Sequence, residues 1–318
     1  MNEIIVTGAN GFVGRVLCRL LVQRGYGVTG LVRHASNSVA GVREWVDSSV
    51  DFAGIDGTWP QGLKPDCVVH LAARVHMLND DAADPEAAFH ATNVEGALRV
   101  AEAAVQRGAR RFVFVSSVKA IAEIDAGRAL REDDPPLPQD PYGRSKLEAE
   151  RALVQYGIET GLDVVIVRPP LVYGPEVRAN FLRLLDAISK GLPLPLAMAS
   201  AKRSLVYVDN LADALMHCAS DPRAAHQCFH VADGGDPSVA ELVEALGKHL
   251  QKPARLFPVP VNWLRLVGRV TGRSAQIDRL VGGLQVDTNR IHSVLDWQPP
   301  ISTDEGLAET ARWYRSTH

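Results

Sequence analysis

A glycine-rich turn near the amino terminus constrains the fold more than any other feature of this sequence. It follows a short apolar run at residues 4–6 and reads Thr7-Gly8-Ala9-Asn10-Gly11-Phe12-Val13-Gly14. Glycines at this spacing allow a tight turn and let the backbone approach a phosphate at the positive end of a helix. The turn therefore predicts a strand-turn-helix unit that holds the pyrophosphate of a dinucleotide. Its predicted cofactor contacts are Gly8, Asn10, Gly11, Phe12, Val13 and Gly14.

Short apolar runs alternate with helical patterns through the first two-thirds of the chain, which is typical of a parallel sheet covered by helices. One helix is well marked, because Asp84 can cap it, Pro85 suits its first turn and Gly108 follows its end. We predict an α/β fold with a Rossmann-type doubly wound parallel sheet. The predicted strands cover residues 4–6, 28–32, 67–71, 112–115 and 164–167.

The pattern becomes less regular after about Pro169, and Pro193 and Pro195 interrupt it. A strand at residues 204–208 and helices near 210–220 and 239–250 are still predicted. We therefore predict a dinucleotide-binding domain over residues 1–168. A smaller mixed α/β substrate domain is predicted over residues 169–318, with some of its segments returning to the sheet.

Composition excludes several classes of protein. A formal net charge of −3 favours neither nucleic acid nor an acidic membrane as a partner. The four cysteines are far apart and lack metal-site spacing, so we expect free thiols in a reducing compartment and no metal. The amino terminus lacks the pattern of a signal peptide, and no run of about twenty apolar residues predicts membrane insertion. We expect a cytoplasmic protein.

The end of the second predicted strand bears on the choice of dinucleotide. An NAD enzyme normally carries an acid there to hold the ribose 2′-hydroxyl, and this chain has none. Arg33 stands beside the expected position and suits a 2′-phosphate. The sequence therefore favours NADP(H). The alternative is that Arg33 is a solvated loop cation and the cofactor is NAD(H).

A serine, a tyrosine and a lysine form the candidate catalytic group. Ser117 follows the strand at residues 112–115, and Tyr142 and Lys146 lie four residues apart at the start of a predicted helix. Reversible oxidation of an alcohol needs a group that exchanges a proton with the sugar oxygen, and a tyrosine qualifies only if its pKa falls from about 10 towards neutrality. Lys146 and a positive nicotinamide ring can cause that fall, and Ser117 can donate or relay a hydrogen bond.

Together these motifs resemble the extended short-chain dehydrogenase/reductases that act on nucleotide sugars. The resemblance rests on the glycine turn, the segment His70-Leu71-Ala72-Ala73, Ser117, and Tyr142 with Lys146. It implies that Tyr142 is the acid/base, that Lys146 holds the nicotinamide ribose and that Ser117 assists. It also implies that Asn93 supports the site and that a homodimer forms through the helices at 85–107 and 142–160. The remaining implied cofactor contacts are Leu71, Ala72, Ala73 and Pro169.

The substrate end is predicted from the same resemblance. Arg203 matches the arginine that grips the nucleotide diphosphate in this family, and a guanidinium suits phosphate because its donors lie in a fixed plane. Many relatives have an asparagine where this chain has Pro169 or Pro170, and Asn180 is the candidate replacement. Arg273 is a second candidate cation. Lys119, two residues past Ser117, is close enough to touch substrate or cofactor.

Three functions remain open from the sequence. The first is a reductase that uses NADPH on the C4 ketone of a nucleotide-linked 6-deoxyhexulose, and it is favoured because of Arg33. The second is a C4 epimerase with a retained cofactor, and the third is a non-catalytic dinucleotide sensor. The chain resembles UDP-N-acetylquinovosamine dehydrogenases and UDP-hexose or lipid-linked N-acetylhexosamine 4-epimerases of bacterial surface-polysaccharide (lipopolysaccharide O-antigen) pathways. A 4,6-dehydratase is disfavoured, because Val118 stands where that reaction needs an acid.

Overall fold

A seven-stranded parallel sheet forms the centre of the protein. The computed structural model describes residues 3–36, 39–75, 84–272 and 274–318, except for the side chains of residues 275, 276, 279 and 280. The strands are β1 Glu3–Thr7, β2 Gly27–Val32, β3 Arg43–Val46, β4 Cys67–His70, β5 Arg111–Val115, β6 Asp163–Arg168, β7 Leu171–Tyr173, β8 Pro193–Leu194, β9 Leu205–Tyr207, β10 Cys228–His230 and β11 Arg255–Leu256. The α-helices are α1 Phe12–Gln23, α2 Ile55–Thr58, α3 Pro85–His90, α4 Gly96–Gln106, α5 Pro141–Thr160, α6 Ala179–Ser189, α7 Val208–Ser220, α8 Val239–His249, α9 Val261–Val270, α10 Ser274–Val281, α11 Asn289–Leu295 and α12 Thr303–Thr317.

The strand order of the central sheet is β3-β2-β1-β4-β5-β6-β10. The order reverses between β1 and β4, and ligands of such sheets bind at the carboxyl ends of the strands beside this reversal. The predicted fold class is confirmed, and the five predicted strands are all in this sheet. Neither β3 nor β10 was predicted, and β10 joins the sheet beside β6 from the carboxyl-terminal half. The domain boundary after residue 168 stays a prediction.

The apolar strand runs are explained by helices on both faces of the sheet. Successive side chains of a strand point to opposite faces, so a strand covered on both sides is apolar throughout. In β1, Val6 packs with α1, α7 and α11, whereas Ile5 packs with α4 and α5. A third apolar cluster holds the carboxyl-terminal part together, and it joins α6, α8 and α12 to the paired strands β7 and β9.

All four cysteines are free thiols, and they lie in or beside these apolar clusters. Burial raises the pKa of Cys18, Cys67 and Cys228 to about 12, and it raises the pKa of Cys218 as well. These thiols are therefore poor nucleophiles at neutral pH.

The long helix that was predicted from Asp84 to Gly108 has an irregular centre. Asp84 caps α3 by accepting a hydrogen bond from the Ala87 amide. A π-helical turn at Ala91–Glu95 then joins α3 to α4. Such single turns are often found at functional sites. None of the helices in the described part of the chain combines the length and apolar composition that crossing a membrane requires.

Candidate active site

The glycine turn packs its own backbone so tightly that side chains do not fit. Gly8 has a φ of +67°, a left-handed conformation that favours glycine. A methyl group at Gly14 would collide with the Gly8 carbonyl oxygen. The Gly11 amide donates to that same oxygen at 2.9 Å, and no side chain among the described residues caps the start of α1. The first amides of α1 are thus available to an anion, and binding of a pyrophosphate there stays a prediction.

A cleft of about 540 Å³ lies beside the turn, at the carboxyl ends of β1, β2 and β4. It is lined by Gly8, Asn10, Leu31, Val32, Arg33, His34, Asp47, Ser49, Asp51, Phe52, Ala72, Ala73, Arg74, Val75 and Thr92. The structure therefore brings five of the predicted cofactor residues to one cleft, namely Gly8, Asn10, Arg33, Ala72 and Ala73. Phe12 and Val13 begin α1 and pack against the third apolar cluster, and Leu71 packs against the cluster that contains α1.

Asp47 lines the same cleft and was not among the predicted site residues. It follows β3 and is buried, and its Oδ1 atom accepts a hydrogen bond from the Ser49 amide at 3.0 Å. Its Oδ2 atom has no hydrogen-bond partner among the described residues. A buried, unpaired carboxylate oxygen is costly unless a ligand supplies a donor. An acid directly after a strand was the signal in the sequence, but β3 itself was not recognised.

Thr7 holds the glycine turn against the loop that follows β4. Its hydroxyl oxygen accepts from the amides of Leu71 and Ala72, each at 3.1 Å, and pairs with Nδ1 of His70 at 3.1 Å. Burial, together with the nearby positive charge of Lys146, lowers the pKa of His70 to about 3. The His70 imidazole is therefore neutral at physiological pH and stacks on the rings of Phe112 and Phe114.

Asn93 lies in the π-helical turn and makes hydrogen bonds with Arg74, which lines the cleft, and with Ser145 of α5. Its side-chain amide donates to the Ser145 hydroxyl at 2.9 Å and to the Arg74 carbonyl at 3.1 Å. Its oxygen accepts from the Arg74 amide at 2.8 Å. Asn93 therefore connects the loop after β4 to helix α5.

Ser117 and Tyr142 meet where β5 ends and α5 begins. The Asp140 carboxylate caps α5 by accepting from the Gly143 amide at 2.7 Å, which fixes the first turn and Tyr142 within it. Burial raises the pKa of Tyr142 to about 12, opposite to the fall expected from the sequence, and a hydrogen bond with the Ser117 side chain opposes the rise. The Val118 amide donates to the Pro169 carbonyl at 3.0 Å, so Pro169 supports the Ser117 turn through its backbone.

Lys146 lies one turn further along α5 and is only 2% exposed. Its ammonium donates to the Val115 carbonyl at 2.8 Å and lies 4.5 Å from the ring centre of Phe114 and 6.0 Å from that of Tyr142. Burial lowers the pKa of Lys146 to about 7, while Glu150 raises it. The structure thus brings Ser117, Tyr142 and Lys146 together at the carboxyl edge of the sheet.

Lys119 is engaged by two carboxylates. Its ammonium lies 2.6 Å from Oδ2 of Asp140 and 3.4 Å from Oε1 of Glu123. Because Asp140 also caps the helix of Tyr142, Lys119 is linked to the start of α5. A direct contact between Lys119 and substrate stays a prediction.

The other predicted substrate residues are spread more widely. Asn180 is exposed in the first turn of α6, and no hydrogen bond among the described residues joins it to Ser117, Tyr142 or Lys146. The guanidinium of Arg203 donates to the Gly282 carbonyl at 3.1 Å. Burial lowers the pKa of Arg203, and Asp125 and Glu123 oppose this shift. Arg273 lies outside the described residues.

Comparisons with known proteins identify the family of this chain. Residues 4–232 match the NAD dependent epimerase/dehydratase family. A UDP-glucose 4-epimerase from Vibrio cholerae is 40% identical and aligns with 98% of this chain and 95% of its own. A UDP-glucose 4-epimerase from Mycolicibacterium smegmatis is 30% identical over 98% of both chains.

A solved structure shows the same architecture. The UDP-glucose 4-epimerase of Thermus thermophilus, in complex with NAD, superposes with a TM-score of 0.80 at 25% identity, covering 99% of this chain and all of that one. The family match covers both the glycine turn and the Ser117, Tyr142 and Lys146 group. The resemblance predicted from the motifs is therefore confirmed at the level of the family, and the chain is an enzyme of the NAD dependent epimerase/dehydratase family.

Proposed function

We propose that this enzyme exchanges a hydride and a proton at C4 of a nucleotide-diphosphate sugar. The observation that carries the proposal is the meeting of Ser117, Tyr142 and Lys146 at the carboxyl edge of the sheet. Helix α5, which holds Tyr142 and Lys146, is linked through Ser145 and Asn93 to Arg74, which lines the cleft. Position C4 and a UDP-linked hexose are supported by the relatives, which are UDP-glucose 4-epimerases, one of them 40% identical over nearly the whole chain.

The residues present fit a nicotinamide dinucleotide. The free amides at the start of α1 suit its pyrophosphate, and the unpaired Oδ2 of Asp47 suits an amino donor of its base. Lys146 is placed to hold a ribose hydroxyl, since its ammonium has only a backbone carbonyl as hydrogen-bond acceptor in the described structure. When bound, the dinucleotide supplies the chemistry of accepting and returning a hydride.

Tyr142 is the group that we assign to the proton on the sugar oxygen. With a pKa of about 12, its phenol is protonated at neutral pH, so it is ready to donate and needs positive charge nearby to accept. Within the described chain, Lys146 supplies that charge at 6.0 Å from the phenol ring. Ser117 holds the phenol by a hydrogen bond and fixes its direction.

Epimerisation at C4, with retained NAD, is the form of the reaction that we favour. The relatives at 40% and 30% identity support it, although the sequence alone favoured a reductase. Reduction of a UDP-4-keto-6-deoxyhexosamine with NADPH remains the second candidate for one reason. Arg33 lines the cleft and no acid follows β2, so the cleft offers a cation where a 2′-phosphate would lie.

The quaternary state and cellular setting are part of the same proposal. Val154 and Ile158 are exposed apolar residues on α5, which supports pairing of two copies through this helix. A cytoplasmic location and a role in surface-polysaccharide synthesis, such as that of lipopolysaccharide O-antigen, rest on the resemblance described above.

The two candidate reactions separate in one assay. The purified protein is incubated with UDP-glucose or UDP-N-acetylglucosamine without added cofactor, and the C4 epimers are resolved by chromatography. In parallel, a UDP-linked 2-acetamido-4-keto-6-deoxyhexose is supplied with excess NADPH or NADH, and the absorbance of the reduced nicotinamide is followed. Epimer formation without net cofactor consumption supports the favoured reaction, whereas stoichiometric loss of NADPH supports the reductase.

Replacing the proposed acid/base tests the shared chemistry. We expect Tyr142→Phe to lower turnover about 10²- to 10⁴-fold in whichever reaction is found, because general acid/base catalysis contributes that much. Tyr156→Phe, on the same helix and away from Ser117, is the matched control and should keep its rate. A Tyr142→Phe protein with full turnover or full biological activity would refute the assignment and revive the non-catalytic sensor.

A further inference from the structure

Helix α9 has a stripe of apolar side chains that is exposed to solvent. Trp263, Leu266, Val267 and Val270 are 64, 52, 52 and 81% exposed, and their spacing of i, i+3, i+4 and i+7 places them on one side of the helix. The opposite side of the helix packs on α10, where a side chain at Gly268 would meet Ile277. The exposed stripe is therefore a second apolar face, which the described part of the chain leaves in contact with solvent.

The same region is strongly basic. Between residues 252 and 281 the sequence carries six basic residues and one acidic residue, a formal charge of +5 in a chain whose total is −3. The basic residues are Lys252, Arg255, Arg265, Arg269, Arg273 and Arg279, and the acid is Asp278. Arg265 pairs with Asp278 at 3.0 Å, whereas Arg269 is exposed, and Arg273 and the Arg279 side chain count here by sequence alone. The whole-chain charge, which argued against an acidic membrane as a partner, hides this local excess.

We propose that α9 docks this enzyme on the surface of an anionic lipid bilayer. A helix with Trp, Leu and Val on one face and arginines beside them lies in the plane of the membrane interface, with its apolar side among the upper acyl chains. The basic side chains are attracted to anionic headgroups. A second copy of this chain is a poorer occupant, because pairing two such helices would bring two segments of charge +5 together.

The docking helix is connected to the substrate end of the protein. Helix α10 packs on α9 and ends at Val281, and the next residue, Gly282, accepts a hydrogen bond from Arg203 at its carbonyl. Asp125 then accepts from the Gln285 amide at 2.9 Å, which ties the following segment to the turn after β5. Through these contacts a bilayer bound at α9 would be connected to Arg203, the predicted contact of the nucleotide diphosphate.

Vesicle flotation with the full-length protein tests this proposal. We expect binding to phosphatidylcholine vesicles that contain about a third phosphatidylglycerol, weaker binding in high salt, and little binding to pure phosphatidylcholine. Val270→Asp should lower the apparent affinity about 10- to 100-fold, and Arg269→Gln about three- to tenfold. The fluorescence of Trp263 should shift to the blue on binding, and Trp263→Phe should remove that shift.

Val50→Asp is the matched control, since Val50 is also an exposed valine but lies after β3, outside the basic segment. It should bind vesicles like the wild type. Circular dichroism and thermal unfolding confirm that each variant folds. The proposal is overturned if the wild type ignores anionic vesicles, or if Val50→Asp and Val270→Asp weaken binding equally. It is also overturned if light scattering shows that Val270→Asp dissociates a dimer and the protein does not bind vesicles, since the stripe would then be a contact between two copies of the chain.

Discussion

Lys146 and Arg168 are two buried cations near the same stretch of α5, and they differ in whether a carboxylate pairs with them. Arg168 forms a two-pronged pair with Glu150, with distances of 2.9 and 2.5 Å, and donates to the Glu132 carbonyl. Lys146, four residues before Glu150, has no carboxylate within ion-pair distance among the described residues, and donates to a backbone carbonyl.

The pKa values follow from this difference. Burial lowers the pKa of both groups, but the hydrogen bonds with Glu150 more than offset this for Arg168 and raise its pKa. For Lys146 burial prevails, and its pKa falls to about 7. A buried cation that has a carboxylate partner is compatible with a stable fold. A buried cation without one lowers the stability of the fold, but its shifted pKa can serve the chemistry of the site.

Breaking the paired cation should have the largest effect on folding. We expect Arg168→Met to lower the free energy of unfolding by about 3–5 kcal/mol, because Glu150 would be left as a buried charge without its partner. Urea unfolding measures the change. A Glu150→Leu/Arg168→Met double variant should recover a large part of the loss. An unchanged midpoint for Arg168→Met would mean that the pair contributes nothing and that the contrast is wrong.

Replacing the unpaired cation should act in the opposite direction. We expect Lys146→Met to raise the free energy of unfolding by about 1–3 kcal/mol at pH 7, since an unpaired buried charge is exchanged for an apolar side chain. Turnover should fall at the same time. Thermal unfolding and the C4 assay are measured on the same preparation, and a protein that loses both stability and activity would contradict this account.

The pH dependence of stability sharpens the contrast. The pKa of Lys146 falls from 10.5 to about 7 on folding, so between these values the unfolded chain holds a proton that the native protein lacks. Stability should therefore rise as the pH increases from about 7 to 10, with a slope of up to one proton. Subtracting the Lys146→Met curve from the wild-type curve isolates this slope. A difference that is flat over this range would place the pKa of Lys146 near its ordinary value.

The smallest expected effect concerns Lys119, a cation that is paired with Asp140 at the start of α5. The charge of Asp140 raises the pKa of Tyr142, and Lys119 partly neutralises that charge. Lys119→Met should shift the basic limb of the pH–rate profile upwards by about half a pKa unit, and Lys119→Arg should restore it. A change in rate without any shift of the profile would instead favour the predicted contact between Lys119 and substrate.

The central fold could be predicted because its signals are local. The apolar strands, the glycine turn, and the four-residue spacing of Tyr142 and Lys146 are all contained in short segments. Strand β3 escaped because it is a short edge strand with exposed positions, and Asp47 was missed with it. The Arg168–Glu150 pair joins β6 to α5, and only the packing of these elements reveals it. The predicted substrate residues depend on loop geometry, which residue types do not determine.

The inert thiols make this enzyme convenient for chemical labelling. Because their pKa values are raised far above neutrality, the four native cysteines should react slowly with maleimides, and background labelling of the wild type should be low. A cysteine introduced at the exposed Val270 position would then be the one rapidly modified site. An environment-sensitive fluorophore or a spin label attached there would report directly on what surrounds α9, without removal of any natural residue from the core.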